Sequence, residues 1–297
     1  MKKLIIVLSI ILGVGLTVAG GIFLGLAIRD QVFPPRYETV THEYVIEDSI
    51  SSISFDTDVT DIEFKASEDG NTKLVFVERE KYYHQYSVSE GALSVTSINE
   101  YQWYDQMFGF NGRITATLFL PTNEYNALSV KTDTGDVNID TFSFNNVNVV
   151  GHTGDVVLNN LTVKENFSIN MSTGDVTLKN SNITGSIGIE VSTGKTTLEH
   201  VRSASANIKS STGRVNLTDY VTPGHLEVNT STGDVVFSSS DADTINVGTS
   251  TGDVRGSIVS DHTFSVSTKT GDVSVPTTSG PACNITTTTG DVHITIG

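Results

Sequence analysis

The chain has 297 residues, a formal net charge of −16, one cysteine and one tryptophan. The acidic balance argues against nucleic acid and anionic lipid headgroups as partners, because both demand positive protein surface. One cysteine excludes an internal disulfide framework, and no Cys/His spacing resembles a zinc site.

In chain order, residues 1–3 are a short basic start and residues 4–28 an uncharged apolar run. The run is long enough to span a bilayer. A cleavable signal peptide is the rival reading, but its apolar region is usually shorter, and the stretch from Thr17 is a poor cleavage signal. The expectation is an uncleaved single-pass signal anchor, a transmembrane helix over residues 4–28. Lys2 and Lys3 keep residues 1–3 in the cytoplasm. The rest of the chain then lies outside the cell membrane. Residues 29–39, with Pro34 and Pro35, read as a short stiff linker.

Residues 40–121 read as β-structure without a regular repeat. Ile53 and Phe55, Ile62 and Phe64, and Leu93 and Val95 alternate as strand residues do. This segment is expected to supply irregular early coils and a cap. It also holds the oddest local composition, eight aromatics and a methionine: Tyr82, Tyr83, Tyr86, Tyr101, Trp103, Tyr104, Met107, Phe108 and Phe110. Two readings stay open. Aromatics can plug the end of a stacked fold, which the need for a cap favours. Alternatively Trp103, Tyr104 and Phe108 form a candidate binding site, since such side chains are favoured at interfaces.

From residue 122 to 297 a Thr-Gly pair recurs every 19 or 20 residues. The glycines are Gly135, Gly154, Gly174, Gly194, Gly213, Gly233, Gly252, Gly271 and Gly290. Apolar residues recur seven and five positions before each glycine (Phe167 and Ile169) and, at most corners, two and four after it (Val176 and Leu178). Spacing of two is the strand period. A fixed period near 20 predicts an all-β fold, a β-solenoid of about nine coils stacked at about 4.8 Å. Gly tolerates positive φ and suits a corner repeated in every coil. The chain ends within the ninth coil, so an uncovered last coil is expected there. It would pair end to end with another molecule or be protected by local twist.

Asp follows the glycine at seven corners: Asp136, Asp155, Asp175, Asp234, Asp253, Asp272 and Asp291. Lys195 and Arg214 take the slot at the other two. A structural turn role is expected, because Asp accepts hydrogen bonds from nearby backbone N–H groups. Ca²⁺ held between coils is the alternative, with one acid per corner and two basic breaks against it. No cofactor is otherwise implied. No Ser-His-Asp or Cys-His motif can be assembled, and Gly-x-Ser-x-Gly does not occur. Acids such as Asp61, Glu63, Asp241 and Asp243 read as ordinary surface residues.

The Ser/Thr-Thr-Gly-Asp-Val repeat behind one apolar N-terminal segment resembles a bacterial family of "putative adhesins", a domain of unknown function that includes LiaG-like membrane-anchored proteins. The resemblance covers about residue 40 to the C-terminus. It implies a β-solenoid outside the membrane and a link to the cell envelope, with no catalytic residues to carry over. Lys195 and Arg214 depart from the pattern. The expected role is a non-catalytic adhesin or scaffold that meets a cell-wall glycan or an envelope membrane protein. An accessory role in envelope-stress signalling and a carbohydrate-active enzyme on a β-helix are the alternatives.

Overall fold

The computed structural model describes residues 39–101 and 113–297. The expected anchor, all but the last residue of the expected linker, and Trp103, Tyr104 and Phe108 lie outside the described residues. Val40–Asn99 and Arg113–Gly297 form one unit. The other unit, Met1–Thr39 with Glu100–Gly112, falls almost wholly outside the description.

Every element among the described residues is a strand. Each regular coil has three sides. In the Gly174 coil, Phe167, Ile169 and Met171 point inward before the corner, and Val176 and Leu178 after it. Ser181 and Ile183 then point inward on a third side. Parallel register stacks like on like: Val149 lies between Val130 and Ile169, and Leu158 between Ile139 and Leu178. The core is therefore a set of continuous files running the length of the stack. Each fully buried Val, Ile or Leu contributes about 1.5–3 kcal/mol. Where Gly151 leaves a gap, the sulfur of Met171 from the next coil fills it.

Eight corners, those of Gly135, Gly154, Gly174, Gly194, Gly213, Gly233, Gly252 and Gly290, carry full strands on both sides. This corrects the expected nine. The Gly271 coil keeps only the short strands Thr263–Ser267 and Val273–Ser274. In six coils a second corner sits six residues after the first glycine, where the repeat carries no glycine signature. Thr141, Asn160, Asn180, His200, Asp219 and Ser239 turn there with φ between 48° and 66°. The next residue dives back into the core, as Phe142, Leu161, Val201 and Tyr220 do.

The N-terminal segment joins the same stack out of chain order. Its strands are β1 (Thr39–Ile46), β2 (Ser52–Val59), β3 (Asp61–Ala66), β4 (Thr72–Arg79), β5 (Tyr82–Ser89), β6 (Ala92–Asn99) and β7 (Thr115–Leu120). Strands β2 and β3 form a coil paired in parallel with the Gly135 coil. Strands β6 and β7 pair in parallel on its far side. Strands β5 and β4 then pair with them antiparallel, and β1 adds to β4. Antiparallel strands thus end the parallel stack on this side.

The other end also departs from chain order. Strand Ala282–Thr289 of the Gly290 coil pairs with Val235–Thr251 on one side and Thr263–Ser267 on the other. Gly252 N–H donates to Thr289 O, and Gly290 N–H to Thr270 O. The last coil in sequence is therefore inserted between the two before it. The expected uncovered C-terminal coil is covered on both sides, with Cys283, Ile285, Val292 and Ile294 buried. The physical reason is that the chain passes over one layer at Val259–His262 and then returns. His262 is buried there with Nε2 2.9 Å from Ala242 O.

Candidate functional site

The glycine corner forms one ridge of the stack. At every corner φ lies between 135° and 156°. A Cβ on Gly174 would fall inside contact distance of the Gly154 carbonyl oxygen, and each neighbouring corner repeats this approach. The aspartates form a ladder that bonds coil to coil. Asp155 N–H donates to Asp136 Oδ1 at 2.9 Å, Asp175 N–H to Asp155 at 2.8 Å and Lys195 N–H to Asp175 at 2.7 Å. Beyond the basic break, Asp253 N–H donates to Asp234, Asp291 N–H to Asp253 and Asp272 N–H to Asp291. The ladder follows the spatial order of coils, not the order in sequence. Its first rung is Asp61, which accepts from Asp136 N–H at 2.9 Å. Sequence reading passed Asp61 over because Thr60 stands where the other corners have glycine.

Cations offset the row of carboxylates. Arg113 bridges Asp61 at 2.6 Å and Asp136 at 3.0 Å. Arg214 and Arg255 converge on Asp234 at 3.0 and 3.1 Å. Burial pushes the Asp234 carboxyl up, but the Asp253 N–H and the two guanidiniums outweigh it and hold the group below its ordinary range. One oxygen of each bonded rung is already occupied by an N–H. Among the described residues no group of three or more His, Cys, Asp or Glu is placed to hold a metal ion.

The broadest candidate surface is the outward face of the strands that precede the corner. Six residues before the glycines it carries Ser168, Gly188, Asn207, Glu227, Asn246 and Asn284 in successive layers. Two further rows run beside it, including Asn170, Glu190, Lys209 and Asn229, then Ser211, Ser231 and Ser250. Gly248 interrupts one row and opens a shallow groove of about 500 Å³ edged by Lys209, Asn229 and Ser231. Gly188 interrupts another and opens a groove of about 230 Å³. Glu190 and Lys209 border both. Parallel sheets usually have both faces covered. Here one face is open and lined by amides and hydroxyls, which can both donate and accept hydrogen bonds.

The cap holds a buried polar network. Glu78 Oε2 lies 3.0 Å from His84 Nδ1, and His84 Nε2 lies 2.9 Å from Thr60 Oγ1. Tyr82 Oη accepts from Val59 N–H at 2.7 Å and lies 3.1 Å from Thr60 Oγ1. Acid, imidazole and hydroxyl are thus aligned as in a nucleophilic relay. Thr60 and His84 are both buried, however, and His84 stacks on Phe76 at 4.6 Å. Burial lowers the His84 pKa, against the raising effect of Glu78. The network ties strand β5 of the cap to the first coil. Tyr82 is part of that plug, and Tyr86 packs against the core with its ring 5.0 Å from Tyr44.

These coils, corners and caps define a β-solenoid of short parallel strands. Residues 50–247 and 219–296 match the family model described as Toastrack DUF4097, and the chain belongs to that family. A solved structure titled a putative adhesin from Parabacteroides distasonis shares 13% identity, with 88% of this chain and 98% of that one covered and a TM-score of 0.54. A putative adhesin from Bacteroides fragilis shares 17% identity over 88% and 99%, with a TM-score of 0.46. A putative lipid binding protein from Parabacteroides distasonis shares 15% over 88% and 98%, with a TM-score of 0.38. No curated protein matches the chain. At these identities the likeness concerns the fold alone.

Proposed function

We propose that this protein is a membrane-anchored, extracytoplasmic β-solenoid that adheres to the cell envelope through the open polar face before the glycine corners. The observation that carries this reading is the repetition of that face. Amide and hydroxyl groups recur at the strand spacing of about 4.8 Å, so an extended polymer meets similar donors and acceptors at each layer. A cell-wall glycan has the matching chemistry, with hydroxyls repeating along an extended chain. The role is binding without catalysis, and the apolar run at residues 4–28 holds the solenoid at the outer surface of the membrane.

The test is capture of the detergent-solubilised full chain by purified cell wall, whole cells and solubilised membrane, with and without Ca²⁺. Capture by wall or cells should fall when Asn207 and Asn229 are both changed to Arg, which fills the grooves with bulk and charge. Capture of a membrane protein alone would replace adhesion with a signalling accessory role. Binding that appears only with Ca²⁺ would assign the carboxylate ladder a metal after all.

A further inference from the structure

The two ends of the parallel stack are unlike. At the N-terminal end β4 and β5 are antiparallel to their neighbours, and β1 covers β4. That end offers no parallel coil edge. At the other end the Gly271 coil is outermost among the described residues, and strand Thr263–Ser267 is paired among them only on its inner side, to Ala282–Thr289. Phe264, Val266 and Val275 face the core but stay partly exposed, and Val273 is 48% exposed. The Asp272 N–H bonds inward to Asp291 Oδ1. The outer side of this coil repeats the backbone edge that every inner coil uses to bind its neighbour.

We propose that the Gly271 coil is a homotypic interface, at which two copies of this chain join end to end about a two-fold axis through Ser265. Head-to-tail growth needs two complementary ends, and the antiparallel cap supplies no second one. A two-fold contact needs only one end. The strand itself sets the register. Antiparallel pairing centred on Ser265 puts Phe264 opposite the partner's Val266, both on the core side. It puts Thr263 opposite the partner's Ser267. Two residues beyond each end of the strand, Lys269 falls opposite the partner's Asp261. Both are exposed, and neither has an ion-pair partner among the described residues. Symmetry makes that ion pair twice. The contact thus continues the core files, pairs an open strand edge and places opposite charges together despite the acidic chain.

This inference is independent of the adhesive role, which concerns a different surface. Sedimentation velocity of the full chain in detergent, across a concentration series, should show a reversible dimer. Lys269→Glu alone and Asp261→Lys alone should each weaken the dimer about tenfold or more, while the double exchange restores it. Ser265→Cys should give a disulfide-linked dimer on mild oxidation. Directly opposite residues in an antiparallel pair have Cβ atoms about 4.5–5.5 Å apart, and the chain's own Cys283 is buried. A monomer at all concentrations would overturn the proposal. So would a dimer unchanged by both single exchanges, or a series of higher oligomers without a dimer end point.

Discussion

Six of the eight regular coils turn twice through positive φ, at the glycine and again six residues later, and the two corners obey different rules. At Gly174 φ is 138°, and six residues later at Asn180 it is 48°. The first corner is glycine in all eight regular coils. The second takes Thr, Asn, His, Asp or Ser. A non-glycine residue near φ 50° pays about 1–2 kcal/mol, least for Asn and Asp, and a coil tolerates that. The first corner adds a second constraint, because the backbone of the neighbouring coil lies where a Cβ would go. Thr60 supports this division. It occupies the glycine slot of the coil that borders the cap, its φ is not positive, and its side chain bonds Tyr82 and His84. Stacking, more than turning, demands glycine.

The comparison breaks most visibly at Gly174→Ala. Strain of about 1–3 kcal/mol adds to overpacking of about 1–3 kcal/mol, so the urea midpoint should fall sharply or the chain should fail to fold. A loss below about 1 kcal/mol would mean that the neighbouring coil yields easily. Asp155→Ala removes the acceptor for Asp175 N–H and should cost about 1 kcal/mol. Asp155→Asn keeps an oxygen there, and equal losses for both would show that charge, not the bond, matters.

At the second corner the sign should reverse. Asn180→Gly relieves the left-handed residue without touching the Asn180 N–H bond to Glu199 O. It should leave stability unchanged or raise it by up to about 1 kcal/mol, whereas Asn180→Ala should lower it by about that much. A destabilising Asn180→Gly measured by thermal melting would dissolve the distinction between the corners.

The smallest effect is in pH. The folded Asp234 carboxyl titrates below its ordinary value of 3.8. Its contribution is therefore complete above that value and is lost as pH falls through the folded pKa. Asp234→Asn should flatten the acid limb of the stability profile. An unchanged limb would mean that Arg214 and Arg255 do not stabilise the ladder.

Much of the coil was legible because its cause is local. Val176 and Leu178 alternate inward whatever lies next to them, and a glycine every 19 or 20 residues marks the corner. The third side was harder to see. Its inward residues run from Phe142 and Leu161 to Ser181 and Ser240, and no single side-chain chemistry announces them. Asp61 was hidden by the missing glycine, although its carboxylate bonds as the others do. The open polar face carries no motif, since Asn and Ser rows become a surface only when coils bring them into register. Of the aromatics, Tyr82 is in the plug, whereas Trp103, Tyr104 and Phe108 lie outside the described residues.

The period, the glycine corner and the inward files on its two flanks follow from the repeat alone, because they are set within about twenty residues. The order of the coils emerges only from the folded stack. Each corner offers its neighbour the same N–H, carbonyl and carboxylate, so the local physics of stacking is nearly alike for any two coils. Placing the Gly290 coil inside buries Cys283, Ile285, Val292 and Ile294, and leaves the shortened Gly271 coil at the edge. That choice depends on which apolar residues face water at the end of the stack, and no single repeat contains that information.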